Sequence, residues 1–86
     1  MNEEELIQAG EDAEALLKST AFNSVVNKLV EQQFQAFVNS QPDQSKERSI
    51  AYYHYRALVD VVNTLKQSVA IRDEVIAKRD NSEEEA

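Results

Sequence analysis

The chain has 86 residues, with sixteen acidic and nine basic side chains, a formal net charge of −7, one glycine, one proline and no cysteine. A chain of this length forms one domain with a modest core, and without cysteine it has no disulfide, thiolate nucleophile or cysteine metal site. Because the first residues are acidic, we expect no secretory signal. Because every apolar run is short, we expect no membrane-spanning segment.

The first predicted helix covers residues 3–18. Asn2 is a suitable N-cap, and three glutamates follow it in the first turn, where the helix dipole favours acids. Gly10 lies inside this helix and forms a patch of small residues with Ala9 and Ala13, which either lets another helix approach closely or weakens the helix. One apolar stripe is predicted to face the protein: Leu6, Ala9, Ala13, Leu16 and Leu17.

The second predicted helix covers residues 21–39, after a break at which Ser19 or Thr20 can act as the N-cap. Its apolar stripe is too broad for one neighbour to cover. We therefore expect this helix to be the most buried element, in contact with both other helices or with another chain. The stripe consists of Phe22, Val25, Val26, Leu29, Val30, Phe34, Phe37 and Val38.

A short turn containing Pro42 precedes the third predicted helix, residues 43–79, so helices 2 and 3 should be antiparallel neighbours. After Ala51, the third helix carries an apolar seam with an average spacing of 3.5 residues, which is typical of a coiled coil and is interrupted only by Arg72. The predicted oligomer or partner seam is Tyr55, Leu58, Val62, Leu65, Val69 and Ile76.

The third helix is predicted to be about 50 Å long, whereas a compact domain of this size spans about 30 Å. Either helix 1 extends along its far half, or the aliphatic residues at that end require another chain. The predicted fold is all-α: three helices, with an antiparallel helical hairpin and a long, coiled-coil-like C-terminal helix. Residues 1–80 form the single domain, and residues 81–86 form a flexible acidic tail.

Candidates for catalysis or metal binding are few. His54 is the only histidine, and it has no cysteine or second histidine near it in sequence. The acidic runs lack the glycine-containing loop of a calcium site, and a single glycine excludes a phosphate-binding loop. We therefore expect no catalytic residue, no metal and no cofactor.

Arg48, Tyr52 and Arg56 lie four residues apart on one side of helix 3. Such a stripe could bind phosphates or stack on bases. In the alternative, which we favour, the tyrosines cover Phe34 and Phe37 of helix 2 and nucleic acid is not the partner.

Several segments resemble a known group of sequences. Residues 13–25, AEALLKSTAFNSV, are followed by Pro42, by Glu47-Arg48 and by residues 53–58, YHYRAL. This arrangement resembles small uncharacterised helical proteins of tailed bacteriophages that accompany head and packaging components. The resemblance implies no catalytic residue.

Three functions remain open at this point. The first is a non-enzymatic phage assembly or virion protein that forms homo-oligomers and binds a capsid, portal or tail protein, in the virion or the host cytoplasm. The second is an acidic inhibitor that mimics nucleic acid on a basic host protein. The third is a small DNA-packaging subunit of the terminase type that uses Arg48, Tyr52 and Arg56. The inhibitor would use Glu3, Glu4, Glu5, Glu11, Asp12 and Glu14.

Overall fold

The computed structural model describes the backbone of residues 1–85 and the side chains of residues 1–82. Over these residues the chain forms three helices and no strand: α1 (Glu3–Lys18), α2 (Thr20–Val38) and α3 (Ser45–Glu85). Both α1 and α2 pack against α3, but they meet each other only at their junction. The molecule is therefore an all-α hairpin with a long third helix, as predicted, and it measures 66 × 24 × 17 Å.

The helix starts follow the predicted capping residues. The Asn2 side-chain oxygen accepts a hydrogen bond from the Glu5 amide at 2.9 Å, and the Ser19 hydroxyl accepts one from the Phe22 amide at 3.1 Å. The Asn23 amide group donates to the carbonyl oxygens of Leu17 and Ser19, at 2.8 and 2.9 Å. Only Ser19 separates α1 from α2, and each of the two helices packs along α3.

α1 packs closely against the far half of α3. Ala13 is only 2% exposed, and Gly10 is buried. A Cβ atom on Gly10 would lie 2.9 Å from the Ser68 carbonyl oxygen and would overlap the Arg72 side chain. Of the two interpretations of the small-residue patch, the structure therefore supports close approach of a second helix, and α1 does extend along the far half of α3.

α3 continues to Glu85, six residues beyond the helix end predicted at Arg79. Asp80, Asn81 and Ser82 are weak helix formers, but each costs less than about 1 kcal/mol in a helix, and no proline or glycine follows to stop it. The predicted tail, residues 81–86, therefore begins inside α3, while Ala86 lies outside the described residues.

α2 is less buried than its sequence predicts. None of the residues of α2, from Thr20 to Val38, is buried, so the prediction that it is the most buried element is wrong within this chain. The reason is geometric: α1 continues away from α2 instead of folding back on it, which leaves the broad apolar stripe with α3 as its one extended neighbour. Among the described residues, no helix is long and apolar enough to cross a membrane.

Candidate protein-binding groove

The hairpin has two halves that differ in charge. The tip half, residues 19–65, contains α2, the turn and the first part of α3, and it holds four basic and four acidic side chains. The acidic half, residues 1–18 and 66–86, holds five basic and twelve acidic side chains. The whole net charge of −7 therefore lies in the acidic half, and the tip half is neutral.

A groove between α2 and α3 runs along one side of the tip half. Its volume is about 260 Å³. We call it the aromatic groove. It is lined by Val30, Glu31, Gln33, Phe34, Phe37, Ala51, Tyr52 and Tyr55.

The aromatic side chains of this groove are largely open to solvent. Phe34 is 56% exposed, Phe37 is 48% exposed and Tyr52 is 54% exposed. The tyrosines of α3 do lie beside the phenylalanines of α2, as predicted, but they do not cover them. Ala51, which also lines the groove, is only 3% exposed, whereas the phenylalanine rings beside it remain open to solvent.

The predicted seam on α3 lies mostly within the hairpin. Leu58, Val62, Leu65 and Val69 are half-buried, whereas the two end members, Tyr55 and Ile76, are exposed. Leu58 and Val62 lie beside Val26 and Val30 of α2, with which they line a shallow depression. Most of the seam therefore packs against the chain's own helices, and its role in oligomers stays a prediction.

Arg72, which interrupts the apolar spacing of α3, lies in this seam and faces α1. Its guanidinium donates to a Glu14 carboxylate oxygen and, at 3.0 Å, to Asp73. Lys18 lies 2.7 Å from Glu14. Hydrogen bonds from Lys18 and, with a smaller effect, from Arg72 lower the pKa of the Glu14 carboxyl, and the positive charges of both residues lower it further. An arginine at a seam position therefore joins α3 to α1 by an ion pair.

A second arginine holds the start of α1. Arg79 lies 2.9 Å from a Glu3 carboxylate oxygen and 3.0 Å from one of Glu4. Hydrogen bonds to Glu4 and, with a smaller effect, to Glu3 raise the pKa of the Arg79 guanidinium. Three of the six acids assigned to the inhibitor hypothesis, Glu3, Glu4 and Glu14, are thus engaged by arginines of α3.

The three members of the predicted nucleic-acid stripe make different contacts in the structure. Arg48 donates to the carbonyl oxygens of Gln41 and Pro42, at 2.6 and 3.4 Å, and to the Ser40 hydroxyl at 3.3 Å. Its guanidinium therefore holds the turn together. Arg56 lies 3.5 Å from Asp60, and Tyr52 makes an edge-on contact with Tyr53, with ring centroids 6.0 Å apart.

His54 lies on the other side of the tip half. Its Nδ1 atom is 3.3 Å from the Gln33 side-chain oxygen, and this pair joins α2 to α3 beside a second, aliphatic depression. Within the part of the chain that the structure describes, no three histidine, aspartate or glutamate side chains are placed to hold a metal ion. The second depression is lined by Leu29, Gln33, His54, Ala57, Leu58 and Val61.

The apolar pattern of α2 predicts that Phe34 and Phe37 lie in the protein interior, whereas both are exposed. The signal that could have identified the groove is the width of the α2 stripe. Its apolar residues occupy more of the helix surface than one neighbouring helix covers. No protein-family model, curated protein or solved structure that was compared with the chain matches it.

Proposed function

We propose that this protein is a non-enzymatic phage assembly or virion protein that acts through helix–helix contacts at the aromatic groove. The observation that carries the proposal is the open aromatic side chains of that groove, above all Phe34 and Phe37. A contiguous exposed apolar surface in a small protein marks a binding site for another protein. Aromatic side chains, tyrosine above all, are also enriched in such interfaces.

The phage context comes from the resemblance of residues 13–25 and 53–58 to helical phage proteins. The proposed partner is accordingly a capsid, portal or tail protein, met in the virion or in the host cytoplasm. Two features favour this function over the alternatives: Arg48 is engaged by the turn and Glu14 by Arg72. A DNA-packaging subunit or a nucleic-acid mimic would use those side chains for its target.

The proposal is tested by affinity capture with the tagged full chain from cells that are producing phage. Phe34→Glu places a charge in the aromatic groove, whereas Ile71→Glu places the same charge at an exposed aliphatic residue, 42% exposed, of the acidic half. We expect the wild type and Ile71→Glu to retain a phage structural protein, identified by mass spectrometry, and Phe34→Glu to lose it.

The opposite pattern would contradict the proposal. If Phe34→Glu retained the same phage protein as the wild type, the groove would not be the binding surface. If the only specific partner were a basic host protein, lost when Glu11 and Asp12 are changed to glutamine and asparagine, the inhibitor hypothesis would replace it.

A further inference from the structure

The surface area of the chain is large for its mass. It exposes 6488 Å², whereas a compact monomer of 9.8 kDa exposes about 5,200 Å² by the usual scaling of surface with mass. The difference, roughly 1,300 Å², exceeds the approximately 800 Å² that each partner contributes to a stable interface of standard size. A single chain therefore carries enough surplus surface to form one such interface.

The surplus apolar surface is concentrated in the tip half. Of the fourteen large apolar side chains that are exposed among residues 1–82, ten belong to this half. Most of them lie on α2 or on the first turns of α3. The ten are Val25, Leu29, Phe34, Phe37, Val38, Ile50, Tyr52, Tyr53, Tyr55 and Val61.

The charge of the two halves restricts what can cover this surface. The neutral tip half exerts no net attraction on a basic or acidic partner, whereas two acidic halves repel each other. In a two-fold symmetric contact each surface meets its own copy, so the tip half meets a surface that is equally neutral, equally apolar and of the same length. An antiparallel arrangement also directs the acidic halves away from each other.

We propose that the aromatic groove binds the same groove of a second copy of this chain, in an antiparallel two-fold dimer. The two tip halves then form a four-helix bundle, with Phe34 and Phe37 of one copy packed against Tyr52 and Tyr55 of the other. This inference rests on the proposed function, because it names the first partner of the same groove. The paired unit would present the acidic halves at its two ends.

The dimer has a defined length. Each molecule is 66 Å long, and the overlap equals the length of α2, about 28 Å at 1.5 Å per residue. An antiparallel dimer is therefore about 100 Å long, whereas a parallel dimer would remain near the 66 Å of one molecule. Length thus distinguishes the proposed arrangement from the alternative that brings the acidic halves together.

Light scattering after size-exclusion chromatography and small-angle X-ray scattering on the full chain test the inference. We expect twice the mass of 9.8 kDa and a maximum dimension of about 100 Å. Phe34→Glu should weaken the dimer at least about 30-fold, as expected for a central aromatic anchor, and Ile71→Glu should leave it unchanged. Phe37→Glu is the second groove variant, and circular dichroism verifies that each variant remains helical.

Three results would overturn the inference. The first is a protein that stays monomeric up to about 200 µM, a concentration at which weak complexes form. The second is a dimer whose maximum dimension does not exceed that of one molecule, and the third is a dimer that Ile71→Glu disrupts but Phe34→Glu does not. A monomer that still captures a phage structural protein would overturn the dimer and leave the proposed function standing. A dimer of the expected length that captures no phage protein would support the dimer and contradict the proposed function.

Discussion

The long helix α3 packs against α1 in the acidic half and against α2 in the tip half, and the two contacts differ. In the acidic half, Gly10 and Ala13 let α1 approach α3 closely, and Arg72 and Arg79 bind carboxylates of α1. In the tip half, Ala51 is buried but Phe34 and Phe37 stay open to solvent. The two-helix packing is therefore close and ion-paired at one end and open at the other.

The largest difference in stability between the two halves is expected from a substitution at Gly10. Gly10→Val places a Cβ atom 2.9 Å from the Ser68 carbonyl oxygen, so α1 must move away from α3. We expect the free energy of unfolding in urea to fall by about 2–3 kcal/mol, as for other overpacked contacts. Ala15→Val is the matched control, because Ala15 is exposed on the same helix, and it should cost about 0.5 kcal/mol. An equal loss in both variants would contradict the close packing of α1.

Ala51 is the corresponding position in the tip half. Ala51→Leu forces extra atoms between α2 and α3 at a residue that is 3% exposed, and we expect a loss of about 1–2 kcal/mol. The loss should be smaller than at Gly10 because α2 has few other contacts to disrupt. Ala70→Leu, at an exposed residue of the same helix, should stay within about 0.5 kcal/mol of the wild type in the same urea titration.

The ion pair of Glu14 makes the acidic half sensitive to pH. In the folded protein, hydrogen bonds from Lys18 and, with a smaller effect, from Arg72 lower the pKa of the Glu14 carboxyl. The ion pair therefore contributes its full stabilisation above the pKa of this carboxyl in the unfolded chain, about 4.5. That stabilisation is lost as the pH falls through the lower pKa of the folded protein. In Arg72→Gln, the decrease of the urea midpoint between pH 7 and pH 3, roughly the range over which carboxylates titrate, should be smaller than in the wild type.

Arg56→Gln is the control for this pH effect. Arg56 belongs to an exposed pair with Asp60 on the same helix, and exposed pairs contribute little to stability. In Arg56→Gln, the urea midpoint should therefore decrease between pH 7 and pH 3, roughly the range over which carboxylates titrate, by the same amount as in the wild type. If Arg72→Gln and Arg56→Gln gave the same curve, the pairing of Arg72 with Glu14 would have no role in folding.

The smallest effect is expected at Arg79. Its partners Glu3 and Glu4 are mostly exposed, and salt screens such pairs. Arg79→Gln should speed amide hydrogen exchange in the first turns of α1 at low salt, and added salt should remove the difference from the wild type. A change of exchange throughout the tip half would contradict the local role of this residue.

Much of the fold follows from local patterns in the sequence. The caps at Asn2 and Ser19, the turn at Pro42 and the small residues around Gly10 each act over a few residues, so they are readable from the chain alone. The end of α3 cannot be located in the same way, because Asp80, Asn81 and Ser82 weaken a helix without stopping it.

The packing of α2 could not be predicted in the same way. Its apolar stripe predicts burial, but burial depends on the direction in which α1 leaves Ser19, and that direction is a tertiary property. The open groove at Phe34 and Phe37 arises from this one choice. The same holds for Arg72, which breaks the apolar spacing in sequence but meets Glu14 once α1 lies along α3.

If another molecule covers the tip half but not the acidic half, α2 and α1 should respond differently to protein concentration. Amide hydrogen exchange at increasing protein concentration measures this difference, with α1 as the internal reference for α2. We expect exchange across residues 20–38 to slow at least about tenfold as the dimer forms, while exchange across residues 3–18 stays constant. Equal protection of both helices at every concentration would contradict the account.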